Sequence, residues 1–184
     1  MVFLRTNSYG RVQLRHNRPG DLSDSQKSDG VVVDSIPDRP DAGSALYVLN
    51  GSPVWKPAAY KYKAQGDLEG YRAHLLEAVK QKRHEAETQG VSYNGHVFGT
   101  DSESRQAVAQ TLEYARDQQS FSTTWKTSDG FMTGVTASDL EAVRDKIASL
   151  RQAAFDREAT LATEINAAAT IQELTAVDIT SGWP

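Results

Sequence analysis

The sequence contains no cysteine, which excludes disulfides and thiolate metal sites. It also lacks any excess of basic charge. Lys and Arg number 20 against 24 Asp and Glu, a formal net charge of −4, and the pI is near 5.6. A nucleic-acid binder shows a basic face instead. No run approaches the length of a membrane span, and the opening MVFLRTNSYGR has no apolar h-region. The expectation is a soluble protein made in a cytoplasm, with neither membrane nor nucleic acid as partner. Apolar residues are scarce as well, at 39%, with a mean hydropathy of −0.54. A compact core of ordinary thickness would be hard to fill from 184 residues, so an elongated shape or burial against partner chains is expected. That length suits one or two small domains.

Residues 1–66 read as a β-rich attachment arm with flexible linkers. Short β-like pieces (Val2–Arg5, Arg11–Arg15, Val31–Ile36, Ala45–Leu49) stand between polar stretches. NRPGDLSDSQKSDG, residues 17–30, has few apolar anchors and is expected to be loop or disordered. DSIPDRPDAGS, residues 34–44, is a second breaker-rich linker. LYVLNGSPVW, residues 46–55, predicts a hairpin around Asn50-Gly51, with Pro53 confining its second strand to an edge.

From Asp67 the texture becomes helical. Asp67 can cap a helix to about Gln89, with Leu68, Tyr71, Leu75, Val79 and Ala86 at helical spacing and Gly90 as the stop. VSYNGHVFGTDSESRQ, residues 91–106, then places a hairpin on Asn94-Gly95 and an N-cap pair at Thr100 and Glu103. A helix over about Ser102–Gln118 follows, with Val108, Leu112 and Ala115 on one face. FSTTWKTSDGFMTGV, residues 121–135, predicts a second hairpin turning near Ser128-Asp129-Gly130. Thr136 and Asp139 form another capping pair and open a helix of about 30 residues, on the order of 45 Å long, to about Ala168. Its stripe of Leu140, Val143, Ile147, Leu150, Ala154, Leu161, Ile165 and Ala168 is close to a heptad, interrupted at Glu158. It packs against the first helix, against symmetry copies, or both. The fold class is α+β: a small β-rich arm, then a helical domain over residues 67–184 with two short hairpins and one long C-terminal helix.

Chemistry is harder to find. No H-E-x-x-H, Gly-rich phosphate loop or G-x-S-x-G elbow is present. His74 and His84 lie ten apart on one helix and point in different directions. Glu85 and Glu87 read as a solvated helix face. Asp101, Glu103 and Arg105 beside His96 are the nearest approach to a constellation, and the acids are better explained by the helix N-terminus they occupy. No catalytic, cofactor-binding or metal residues are assigned, no cofactor is implied, and the chain is expected not to be an enzyme. Trp125 reads as core. Trp183, in ITSGWP, has no local element to pack in and either docks on another surface or is disordered. The interface candidates are Ile147, Leu150, Leu161 and Trp183.

The ordered set of segments from the first helix onward resembles a family of uncharacterised domains in tail proteins of tailed bacteriophages, including tail-fibre subunits and tail-fibre-assembly-like proteins. The residues that carry it are V-x-x-N-G-x-x-F-x-T-D-x-x-S at 91–104, W-K-T-x-D-G at 125–130, F-x-R-E at 155–158, and the closing INAAATIQEL and GWP segments. The likeness covers about residues 67–184. It implies a structural subunit of a tail fibre, tail tip or baseplate that assembles through protein–protein contacts in the virion tail. Other tail or fibre proteins would be its partners, and a homo-oligomer, preferably a trimer, its state. The alternative is a tail-fibre assembly chaperone absent from the mature virion.

Overall fold

The computed structural model describes residues 1–28 and 30–184. The fold is α+β and forms two compact units, residues 1–74 with 169–171 and residues 75–168 with 172–184.

In the first unit β1 (Val2–Thr6) is the centre of an antiparallel sheet in the order β2-β1-β3, with β2 at Val12–His16 and β3 at Gly30–Val33. Phe3 and Leu4 are neighbours on β1, so they point to opposite faces, yet both are buried. Each face of this strand is therefore covered. Phe3 also explains Gly30, which pairs with Arg5 on the neighbouring strand: a Cβ there would lie 2.4 Å from the Phe3 ring. The hairpin of β4 (Ala45–Leu49) and β5 (Ser52–Lys56) turns on Asn50 and Gly51 with φ of 51° and 78°, the left-handed pair of a type I′ turn. It joins the first sheet where the Val48 N–H donates to the Gly10 carbonyl at 2.7 Å. Buried Tyr47 meets Tyr60 of α2 (Tyr60–Gln65) edge to face at 4.7 Å.

Two stretches expected to be loose have local structure. Residues 19–21 form a 3-10 turn, and α1 (Asp24–Lys27) opens with a capping box in which Ser23 and Gln26 satisfy each other's backbone N–H groups. Side-chain-to-backbone bonds replace the apolar anchors that this segment lacks. In the 34–44 linker the Trp55 indole N–H reaches the Pro37 carbonyl at 2.8 Å, and the Arg39 guanidinium donates to the Ala42 and Ser44 carbonyls.

The unit boundary falls within α3 (Leu68–Thr88). Asp67 caps this helix through Gly70 N–H at 2.8 Å, and Gly90, at φ 95°, lets the chain leave it. The second unit continues with the hairpin β6 (Val91–Tyr93) and β7 (His96–Phe98), helix α4 (Ser102–Arg116), and the hairpin β8 (Ser122–Thr127) and β9 (Gly130–Thr136). Helix α5 (Ala137–Ala167) and the short α6 (Ile171–Ala176) follow. One core cluster joins Val91 and Phe98 to Val108 and Leu112 of α4 and to Leu140, Val143 and Ile147 of α5. Asp139 fixes the start of α5 twice, in a capping box with Thr136 and as acceptor for the Tyr93 hydroxyl at 2.7 Å.

The capping expected of Thr100 and Glu103 belongs to their neighbours. Asp101 is the N-cap of α4, taking the Ser104 N–H at 3.0 Å and the Ser104 hydroxyl at 2.6 Å. Thr100 is instead wholly buried, and its hydroxyl accepts the Gly90 N–H at 3.1 Å. Trp183 does find a local partner: its indole N–H donates to the Ile179 carbonyl at 3.0 Å.

Leu140 is fully buried in the cluster. Leu140→Ala should cost about 2–5 kcal/mol, the range for large-to-small core substitutions, read from the urea midpoint at constant slope. Ile147→Asp would place a carboxylate in the same cluster and should abolish far-UV helicity of this unit, whatever its state of association.

Candidate functional site

The two motif segments, thirty residues apart in sequence, meet where the hairpins touch. The Ser128 N–H donates to the Val97 carbonyl at 2.8 Å, and the Val97 N–H returns to Asp129 Oδ1 at 3.0 Å. This reciprocal pair pins the tip of the second hairpin to the edge of the first. Beside it Phe98 and Trp125 stack with ring centroids 6.4 Å apart, and a cleft of about 550 Å³ opens, walled by Trp125, Thr127, Asp101 and Glu103. Trp125 is half-buried rather than fully enclosed, so part of its ring area remains as cleft wall.

The ionisable residues of the region are already engaged. Asp101 is held below its ordinary range by the Ser104 hydroxyl and backbone N–H. Asp129 is lowered by the Val97 N–H, then by the Thr127 hydroxyl and His96. His96 Nδ1 lies 3.6 Å from Asp129 Oδ2, beyond a direct hydrogen bond. Asp139 is lowered chiefly by Thr136, and the Tyr93 phenol that bonds to Asp139 is raised in turn. The residues grouped in the sequence as His96, Asp101, Glu103 and Arg105 are thus split up. His96 faces Asp129, Asp101 caps α4, Glu103 is exposed in its first turn, and Arg105 donates to the Thr100 carbonyl at 2.6 Å. Among the described residues, every carboxylate with a clear displacement moves down. A general acid working at neutral pH needs the opposite.

Of the other histidines, His74 packs against Tyr62 and Tyr71, and His84 is exposed 3.6 Å from Glu87; the His16 side chain lies outside the described residues. Among the described residues no group of three His, Asp or Glu side chains could hold a metal ion. The interface candidates sit as follows. Ile147 and Leu161 are buried by the chain itself, Leu150 is half-buried against the same cluster as Ile147, and Trp183 is half-buried in the C-terminal segment.

The polar cluster that the sequence reading missed lies between α3 and α5. Glu85 is solvated as expected, but Glu87 is only 8% exposed. Its carboxylate takes Arg83 at 2.6 Å and lies 3.6 Å from Arg151, while Arg83 Nε pairs with Glu158 at 2.8 Å. Position 83 faces 158 and position 87 faces 151, so the helices run antiparallel. The signal was present: Leu75, Val79, Arg83 and Glu87 advance by fours along one stripe.

Burial would raise the Glu87 carboxyl, but the Arg83 bond and charge and the Arg151 charge outweigh it, and it sits below its ordinary value. A depressed folded value means the stabilisation is complete above the ordinary glutamate range and is lost as pH falls through the folded value. Urea midpoints from about pH 6 to about pH 3 should therefore fall more steeply for the native chain than for Glu87→Gln. Asp101→Ala should cost about 1 kcal/mol, a lost helix cap, in the same assay at neutral pH.

No curated protein and no solved structure matches the chain. A family described as a domain of unknown function, DUF4376, matches residues 70–181. This is more than half of the sequence and holds both motif segments, the pinned hairpins and the α3–α5 cluster; the chain belongs to the DUF4376 family.

Proposed function

We propose that this protein is a structural subunit of a bacteriophage tail, in a fibre, tail tip or baseplate, and that it acts by making protein–protein contacts. The observation that carries the non-catalytic part is the use to which the motif residues are put. Asn94 and Gly95 turn a hairpin, Asp101 caps a helix, Asp129 pins one hairpin to another and Arg157 binds the backbone of the C-terminal segment. These side chains shape a rigid surface and are not left poised for reaction. The tail assignment rests on the ordered likeness of residues 67–184 to phage tail domains, and homo-oligomers and other tail proteins are the partners it brings.

Quantitative mass spectrometry of purified virions from the encoding phage tests this directly. A structural subunit is retained in fixed stoichiometry to the major tail proteins. Accumulation in the lysate with absence from particles would overturn the subunit reading in favour of an assembly helper.

A further inference from the structure

One face of α4 has a pattern that is complementary to itself. Arg105, Ala109 and Glu113 advance by fours, so they lie in one row. Ala109 and Glu113 are exposed and Arg105 is half-buried. Arg105 is held in place by the Thr100 carbonyl, and neither Arg105 nor Glu113 has an opposite charge within reach among the described residues. Beside this row a cleft of about 160 Å³ separates α4 from α5. It is lined by Arg105, Arg144 and Arg151, with exposed Ala109 and Ala148 and two buried aliphatics. Arg144 pairs with Asp145 at 2.8 Å and Arg151 lies 3.6 Å from Glu87, which leaves Arg105 as the arginine of the cleft without a carboxylate partner among the described residues. The cleft is sized for one side chain, and Arg105 is the guanidinium in it that is left to receive an acid.

We infer that this face is a two-fold contact between two copies of the chain, in which Glu113 of each enters the arginine-lined cleft of the other. Arg105 and Glu113 stand on either side of Ala109, each about 6 Å along the axis. A two-fold axis through Ala109 crosses the α4 helices antiparallel and brings Arg105 against Glu113 of the partner subunit, with the reverse pair on the other side. Alanine at the crossing lets the backbones approach closely. The charge pattern chooses this occupant. Nucleic acid is disfavoured by the overall acidity of the chain. An unrelated acidic protein would not need the matching acid on α4 itself. The contact is two-fold, unlike the three-fold assembly that the phage likeness brings, and it stands independently of that reading.

The test is the solution mass of the full-length chain by light scattering and sedimentation over a wide concentration range. The native chain should dimerise at ~0.05 M salt and dissociate more readily at ~0.5 M. Glu113→Arg and Arg105→Glu should each raise the dimer dissociation constant at least about tenfold, because each acts twice across the axis. The double variant Arg105→Glu with Glu113→Arg should recover it to within about threefold. Ala109→Trp, at an exposed position, should block approach without a change in melting temperature. A native chain that stays monomeric at every concentration would overturn the inference. So would an oligomer whose mass ignores Glu113→Arg and Ala109→Trp, or a double variant no better than its parents. Should Arg105→Glu fail to fold through loss of its Thr100 bond, Glu113→Arg and Ala109→Trp decide the matter by themselves.

Discussion

The Thr100 hydroxyl, fully buried, accepts the N–H of Gly90 and so closes the ten-residue excursion that carries the first hairpin of the second unit. Gly90 ends α3, and Thr100 stands directly before the cap of α4. Arg105, one turn into α4, donates back to the Thr100 carbonyl. The hydroxyl and the carbonyl oxygen of this buried residue thus each accept a hydrogen bond, as burial requires. Other placements follow from this closure. With the hairpin base fixed, Phe98 lies in the core between α4 and α5, and Val97 presents its backbone to the Ser128–Asp129 turn. A valine of similar shape would leave the half-buried Gly90 donor without this partner, a penalty of up to about 1–3 kcal/mol.

Helices α3 and α5 carry buried apolar residues as well as the ion pairs that join them. Val79, Ala86, Ala154, Leu161 and Ile165 are buried, and burial of such side chains supplies the bulk of the stabilisation. Arg83, Glu87, Arg151 and Glu158 add little net energy, because desolvating the charges offsets much of their attraction. What they add is position: a slide of one turn would take Arg151 from Glu87 and Glu158 from Arg83, while the Arg83–Glu87 pair within α3 would remain. The break in the α5 heptad at Glu158 is thus the place where an apolar seam gives way to a partner-specific ion pair. Arg83 and Arg151 also lie over the exposed Phe155 ring at 4.9 and 5.8 Å, which ties that aromatic into the same network.

What the sequence displayed openly was local. The Asn50-Gly51 and Asn94-Gly95 turns, the Asp67 cap and the Thr136–Asp139 box each depend on residues within a few positions of one another, and all lie where the pattern put them. Elements whose partners come from afar were opaque. Thr100 carries a cap-like spacing, yet a donor ten residues upstream claims its hydroxyl, and Asp101 takes the cap. Glu87 read as solvated because Arg151 is sixty-four residues away. Trp183 had no visible partner because the segment that holds it is itself held by Arg157, which donates to the Asp178 and Ser181 carbonyls. In the candidate cleft the same rule applied. Its separate walls were visible as motifs, while their meeting depends on a backbone pairing between Val97 and the second turn that no side-chain pattern announces.

The Asn-Gly turns have a chemical consequence as well as a geometric one. Asparagine before glycine is the sequence most open to spontaneous deamidation, since nothing on the glycine obstructs attack of its nitrogen on the side-chain amide. Asn50 and Asn94 both stand exposed at such sites. The iso-aspartate product lengthens the main chain by one atom, and a two-residue turn has no slack to absorb it. At Asn94 the added atom would disturb the pairing of Val91 with Phe98, which brings both side chains to the core face; a register error in a strand turns core residues toward solvent. Ageing of the polypeptide would thus reach the interior of the second unit through one of its most exposed loops.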